Sequence, residues 1–237
     1  LLPLGPTGYG DSPYSSYSSF AGNPYLIDLD LLIEEGLLTR EEVGAYEWGD
    51  DPARTDYGRL YDGRYPLLRK AFERSRESLR EEIDAFREEN AGWLDNYTLY
   101  MAVKAHFKMQ SWIAWPDAEI RRHHPEAVRR YSEMLREDVE FYRFVQFLFF
   151  RQWKALKAYA GEKGVLFIGD IQIYVAMDSA DIWSEPQFFQ LDGEGRPKEV
   201  AGVPPDPFTE DGQLWGNPLY DWDRMKADGY GWWIRRI

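Results

Sequence analysis

Two carboxylates stand where this chain could do nucleophilic or acid–base work. Asp170 follows the apolar run "VLFIG" (165–169), and Asp206 lies in "AGVPPDPFTEDGQLWGNPLYDW" (201–222), a loop of prolines, glycines, aromatics and amides. Carboxylate chemistry of this kind takes two groups held close together, one to attack or accept a proton and the other to donate one. On residue types alone, Asp170 and Asp206 are the candidates for such a pair. A side chain at the C-terminal end of a buried parallel strand faces the active site of a β/α barrel, so the position of Asp170 matters more than its type. Its other reading is as the cap of the next turn.

A second loop, "LLPLGPTGYGDSPYSSYSSFAGNPYLIDL", opens the chain. It shares with the first the combination of proline, glycine and exposed-type aromatics. Two such loops, each behind an apparent strand, fit a site assembled from βα loops. The chain is unusually aromatic, with 10 Trp, 16 Tyr and 13 Phe. About two thirds of these serve as core filling on ordinary burial grounds. The remainder cluster in the loops, where a rigid ring is a platform for the apolar face of a flat ligand such as a sugar.

Composition narrows the partners. A length of 237 residues and a hydrophobic content of 44% permit a sizeable core in one or two domains. The net charge of −13 and pI near 4.8 oppose binding to nucleic acid or an anionic membrane surface, which calls for a clustered basic patch. Neutral or cationic ligands remain open. Without cysteine there is no disulfide, thiolate nucleophile or zinc–thiolate site, and the expected location is the reducing cytoplasm. No run approaches the ~20 apolar residues of a membrane span, and "LLPLGPTG" lacks the features of a signal peptide. His123 and His124 precede Pro125 and diverge, while His106 falls on another helix, so no metal and no cofactor are expected.

The elements that must hold these loops are mostly helical. Leu1 to Leu4 read as the end of a buried strand stopped by Pro3, Gly5 and Pro6. "LIDLDLLIEEGLLTREEV" predicts two short helices, with Gly36 at a C′ position and a Thr39–Glu42 capping box. "WGDDPARTDYG" reads as a linker. Helical spacing of Leu68, Phe72, Leu79, Ile83 and Phe86 predicts a helix from Pro66, and another runs from Trp93 to Phe107. From Glu126 to Tyr159 one long or two abutting helices bury Phe141, Val145, Leu148, Phe149, Trp153 and Leu156, ending at Gly161 or Gly164. "VLFIG" has the continuous apolar character of a parallel strand buried on both faces. A helix then starts at Asp178 or Ser179, with Asp181 near its positive end, and "LDGEGRP" is a turn joining two short strands.

Five blocks carry a resemblance: the opening loop, "NAGWLDNYTLYMAVKAHF", "FVQFLFFRQWKALKAYAGEKG", "GDIQIYVAMDSADIW" and "GVPPDPFTEDGQLWGNPLYDWDRMKADGYGWWIRRI". In this order they resemble successive parts of amylomaltase, the 4-α-glucanotransferase or disproportionating enzyme of glycoside hydrolase family 77. The resemblance covers nearly the whole chain. It implies an α/β fold, part of a (β/α)8 TIM barrel limited to the early strands, with a large helical insertion. The implied organisation is a barrel strand and donor-site loop over 1–30, a mostly helical insertion over 31–125, and over 126–237 a helix, a barrel strand, the loop over the cleft and the start of the next helix.

The implied activity is transfer of α-1,4-glucan segments between glucan acceptors (maltooligosaccharides, starch, glycogen) by a retaining double displacement. A non-catalytic glucan-binding protein and a related α-glucan hydrolase are the alternatives. Family members carry the nucleophilic aspartate in an Arg-x-Asp motif and the acid/base glutamate on strands expected after Ile237, so neither Asp170 nor Asp206 is the nucleophile and residues 1–237 alone are expected to be inactive. By position in the family pattern, Ser12 and Tyr14 of "SPY" border the donor site, with the Tyr14 ring on the transferred sugar, and Asp170 supports that sugar. Asp206 and Phe208 arch over the cleft and exclude water, while Trp215 and Asn217 flank glucan subsites. Asn23, with Pro24, is either support or a sugar contact, and Tyr9 is either an outer platform or loop packing. Two positions depart from the pattern: Gln172 stands where the family usually has proline, and Pro207 where it has tyrosine.

Overall fold

The computed structural model describes every residue except Tyr9, which leaves the expectation for Tyr9 outside the described residues. Eleven α-helices and one two-stranded antiparallel sheet are assigned among the described residues. In chain order these are α1 (Leu29–Glu34), α2 (Arg40–Gly44), α3 (Tyr57–Ser75), α4 (Arg80–Glu89), α5 (Leu94–His106), α6 (Ala118–Arg121), α7 (Pro125–Met134), α8 (Arg136–Glu162), α9 (Ala180–Ser184), β1 (Val200–Val203), β2 (Gln213–Pro218), α10 (Trp222–Ala227) and α11 (Gly231–Arg236). The chain divides into two compact units. One comprises Leu1–Ala21, Leu99–Arg136 and Gly169–Ile237, and the other Gly22–Thr98 and Glu137–Ile168.

The second unit is helical because its apolar residues recur at helical spacing and its ends are capped. Thr39 and Glu42 form the reciprocal capping box, at 3.2 and 3.0 Å, and Gly36 takes φ +72 just past α1. Helix α3 begins nine residues before Pro66, because the Asp56 carboxylate caps it by accepting the Arg59 N–H at 3.0 Å. Pro66 therefore lies inside the helix, and "RTDYG" is its entry instead of a linker. The core forms where Phe72 of α3 meets Phe141 and Phe144 of α8, with ring centroids 5.9 and 5.6 Å apart. At the start of this unit Gly22 lies against the Phe149 ring, so closely that a Cβ would come within 1.9 Å of it. The Gln146 amide bonds both backbone groups of Gly22, at 2.7 and 3.0 Å. Leu156, expected in the core, is half exposed, because only the first half of α8 is covered.

The first unit packs around rings. Tyr100, Trp115 and Trp183 lie with centroids 5.7–5.8 Å apart, and Phe189, Tyr220 and Trp232 form a second cluster. Its sheet pairs β1 with β2, Val203 opposite Gln213, and all but Val200 of it lies in the stretch 201–222 expected to be loop. "LDGEGRP" is a turn as expected, but its flanks make only an isolated bridge between Leu191 and Pro197.

The two expected barrel strands are not formed. Leu1 to Leu4 are irregular, with Leu1 and Leu2 exposed, and "VLFIG" is irregular with Val165, Leu166 and Ile168 exposed at 54, 86 and 85%. The physical reason is pairing. A strand interior to a parallel sheet needs a neighbour on each edge and a layer on each face, and no strand among the described residues pairs with either segment. The described residues are mostly helical, with one two-stranded sheet.

Candidate functional site

The "SPY" loop is a hairpin with a tight tip. Gly8 N–H donates to the Ser15 carbonyl at 2.8 Å and Tyr17 N–H to the Pro6 carbonyl at 2.9 Å, which closes the arms. Ser15 N–H reaches the Ser12 carbonyl at 3.0 Å, so Ser12, Pro13, Tyr14 and Ser15 make a β-turn with proline at its second position, where φ is already set. The Ser12 hydroxyl oxygen accepts the Tyr14 N–H at 3.3 Å. This turn presents Tyr14 half exposed, and its phenol donates to Asp170 Oδ2 at 2.5 Å. That bond, with the adjacent carboxylate charge, raises the Tyr14 pKa above the usual phenol value.

Asp170 begins a segment that has no strand neighbour yet is closely held. Four of its carbonyls accept from side chains: Gln172 from the Arg236 guanidinium, Ile173 from the Tyr220 hydroxyl at 2.9 Å, Val175 from the Asn217 amide at 2.9 Å, and Met177 from the Trp112 indole at 2.8 Å. Backbone acceptors that would otherwise be orphaned are thereby satisfied by side chains in place of a ladder. Burial pushes the Tyr220 phenol up to about 12 and lowers Arg236. At the end of the segment Asp178 accepts from Lys104 Nζ at 2.6 Å, from the Tyr100 hydroxyl at 2.7 Å and from Trp112 N–H at 3.2 Å. Ser179 then caps α9, as expected.

The structure therefore brings Ser12, Tyr14 and Asp170 together, across 156 residues of sequence in the closest contact. It attaches two more of the expected residues to the same segment, Asn217 through Val175 and Trp215 through the Tyr174 ring at 6.2 Å. Asn217 spends its amide on that carbonyl, and Trp215, half exposed, donates to Gln213 at 3.1 Å. Asp206 caps a turn between β1 and β2, accepting the N–H groups of Phe208 and Thr209 at 2.9 Å each, and Phe208 is 91% exposed. Neither makes a hydrogen bond with Tyr14 or Asp170. Asn23 belongs to the other unit, where it caps the short turn Pro24–Leu26.

Several anchoring residues escaped sequence reasoning: Tyr100, Lys104, Tyr220 and Arg236, with Asp178 read only as a helix start. Only Lys104 left a signal, a lone cation within the apolar "YTLYMAVKAHF". A carboxylate with a phenol against it and half-exposed rings nearby can accept sugar hydroxyls and stack on a pyranose face. No cluster of metal-ligating side chains occurs among the described residues, and no helix there is long and apolar enough to cross a membrane.

Comparison with known proteins completes this description. The family model for 4-alpha-glucanotransferase, glycoside hydrolase family 77, matches residues 1–237. The chain belongs to the 4-alpha-glucanotransferase family. It is 50% identical to the 4-alpha-glucanotransferase of Thermus thermophilus and 45% identical to that of Streptococcus pneumoniae, in each case over all of this chain and 47% of the relative. It thus spans about half the length of the curated 4-alpha-glucanotransferases it matches. The amylomaltase of Streptococcus agalactiae, solved in complex with acarbose, superposes with a TM-score of 0.95 at 41% identity, over 99% of this chain and 48% of that one.

Proposed function

We propose that the whole protein bearing this segment is a cytoplasmic 4-α-glucanotransferase. It moves α-1,4-glucan segments between maltooligosaccharide, starch or glycogen acceptors by a retaining double displacement, without metal or cofactor. Residues 1–237 supply the donor-side surface of a (β/α)8 barrel. Within them, 1–30 provide a strand and the donor loop, 31–125 the helical insertion, and 126–237 the second strand region and the loop over the cleft. Ser12, Tyr14 and Asp170 hold the transferred sugar, Trp215 and Asn217 flank it, and Asp206 with Phe208 keeps water from the covalent intermediate. The nucleophilic aspartate and the acid/base glutamate come from the remainder of the protein.

The observation that carries this reading is the Tyr14 hydroxyl on the Asp170 carboxylate, in a chain of this family. A phenol on the carboxylate fixes both groups at one exposed point, so a pyranose could rest on the ring while its hydroxyls meet the acid. The functional test is maltotriose. The whole protein is expected to release glucose and build longer maltodextrins, whereas residues 1–237 alone produce neither. Glucose and maltose without chain extension would identify a hydrolase, and turnover by the isolated segment would refute the assignment of the reacting carboxyls elsewhere.

Tyr14→Ala in the whole protein is expected to lower kcat at least tenfold with an unchanged melting temperature. Losing a stacking contact of ~1.4 kcal/mol at the transition state gives about that factor. Wild-type kinetics would show that Tyr14 only packs.

A further inference from the structure

Besides Asp170, Gln172 of the same segment sends its side chain across to the "SPY" turn. It is 6% exposed, and its Nε2 donates to the Pro13 carbonyl at 2.5 Å. Its own carbonyl accepts the Arg236 guanidinium. The residue thus spans from an anchored backbone on one side to the turn carrying Tyr14 on the other. Pro13 immediately precedes Tyr14, and Gln172 is two residues beyond Asp170, so the same two segments are tied twice, once by the phenol–carboxylate contact and once by this amide. The Gln172 N–H donates in none of the described hydrogen bonds. Proline, the residue of the family pattern, would therefore lose the side-chain tie and no backbone hydrogen bond.

We propose that Gln172 is a positioning residue of the donor site: its amide strap on the Pro13 carbonyl fixes the tip of the "SPY" turn and thereby sets where Tyr14 stands over Asp170. The inference rests on the donor-side reading of those two residues and adds a part that the family pattern does not contain. The Pro13 carbonyl sits at a turn tip, where no second strand restrains it. One buried donor adds a restraint at the tip to those of the turn's own hydrogen bonds and the Tyr14–Asp170 contact, which matters where the ring must meet the reacting sugar in one orientation.

The test uses the whole protein and four variants: Gln172→Ala, Gln172→Pro, Tyr14→Ala and the double variant Tyr14→Ala/Gln172→Ala. Disproportionation kinetics are read together with the melting temperature. Both single Gln172 variants are expected to lower kcat about three- to tenfold, the span of one lost hydrogen bond, while KM for a glucose acceptor stays unchanged. In the double variant, removal of the ring removes what the strap positions, so its kcat should match that of Tyr14→Ala within about twofold. Multiplying losses in the double variant, or wild-type kcat in both Gln172 variants while Tyr14→Ala is slow, overturns the proposal and leaves the donor-side reading intact. Wild-type kcat in Tyr14→Ala overturns that reading and the proposal with it. If neither Gln172 variant folds, Gln172 is a determinant of the fold, and the positioning role is likewise rejected.

Discussion

Asp178→Ala is expected to cost the folded protein about 3–5 kcal/mol, the penalty for leaving one member of a buried ion pair alone. The Lys104 side chain has no exposed surface, and its ammonium stands 2.6 Å from the Asp178 carboxylate with the Gln110 carbonyl, at 3.1 Å, as its other acceptor. Burial lowers the Lys104 pKa while the carboxylate pulls it back up. Deleting Asp178 strips the charge compensation and also leaves the Tyr100 hydroxyl and Trp112 N–H without their acceptor. The opposite change is gentler. In Lys104→Met the carboxylate, one third exposed, keeps both of those donors, so the loss should be smaller. Urea denaturation of the two whole-protein variants decides the matter: a Lys104→Met loss equal to or larger than that of Asp178→Ala contradicts the account.

The second large effect is a pH dependence. Asp181, fully enclosed near the start of α9, accepts the Ser19 N–H at 2.8 Å, and burial pushes its carboxyl up to about 7. The Ser19 hydrogen bond and the Arg236 charge act in the opposite direction, and Glu185, itself raised by burial, adds to the rise. Folding thus raises this pKa from 3.8, so the folded chain holds a proton that the unfolded chain releases. The stabilisation is complete below about pH 4 and disappears as pH climbs through about 7, a swing of roughly 4 kcal/mol at 1.36 kcal/mol per unit. Asp181→Asn keeps an oxygen for Ser19 and cannot ionise. Its stability should lose the Asp181 share of that fall, keep the share due to Glu185, and overtake the wild type at the alkaline end. Denaturation midpoints that run parallel for the two proteins across that range would rule out Asp181 as the titrating group.

Helices were the legible part of this chain, and the reason is local. The Thr39–Glu42 box, the Gly36 terminus and the aromatic face of α8 are set by residues within four positions of one another, so a short window contains the whole cause. α7 and α8 abut at Leu135, as the periodicity allowed. The start of α3 was obscured because Pro66 resembles a first-turn proline, whereas Asp56 supplies the actual cap. "VLFIG" shows the opposite case: its apolarity is a local property, but strand formation is not, and the run lies exposed without a ladder. β1 and β2 were hidden by the prolines and glycines between and within them.

The candidate site was legible in pieces. Residue types singled out Asp170, and the family resemblance singled out Tyr14, but their meeting is a long-range event that no spacing rule encodes. The anchors were least visible. Tyr220 and Arg236 act on backbone carbonyls, and a carbonyl has the same appearance in every residue's letter.

Arg236 couples the segment that begins at Asp170 to something that can be seen with light. Its guanidinium, while bound to the Gln172 carbonyl, lies over the Trp232 and Trp233 rings, 5.3 and 4.9 Å from their centres. Trp233 in turn stacks on Trp222, with 6.2 Å between centroids and 15° between planes. Two indoles so close and nearly coplanar mix their electronic transitions, and a cation over one of them shifts its excited state. Release of the Gln172 carbonyl by Arg236 would therefore alter the exciton and emission signature of three of the ten tryptophans, a change that a comparison with Arg236→Lys isolates from the other seven.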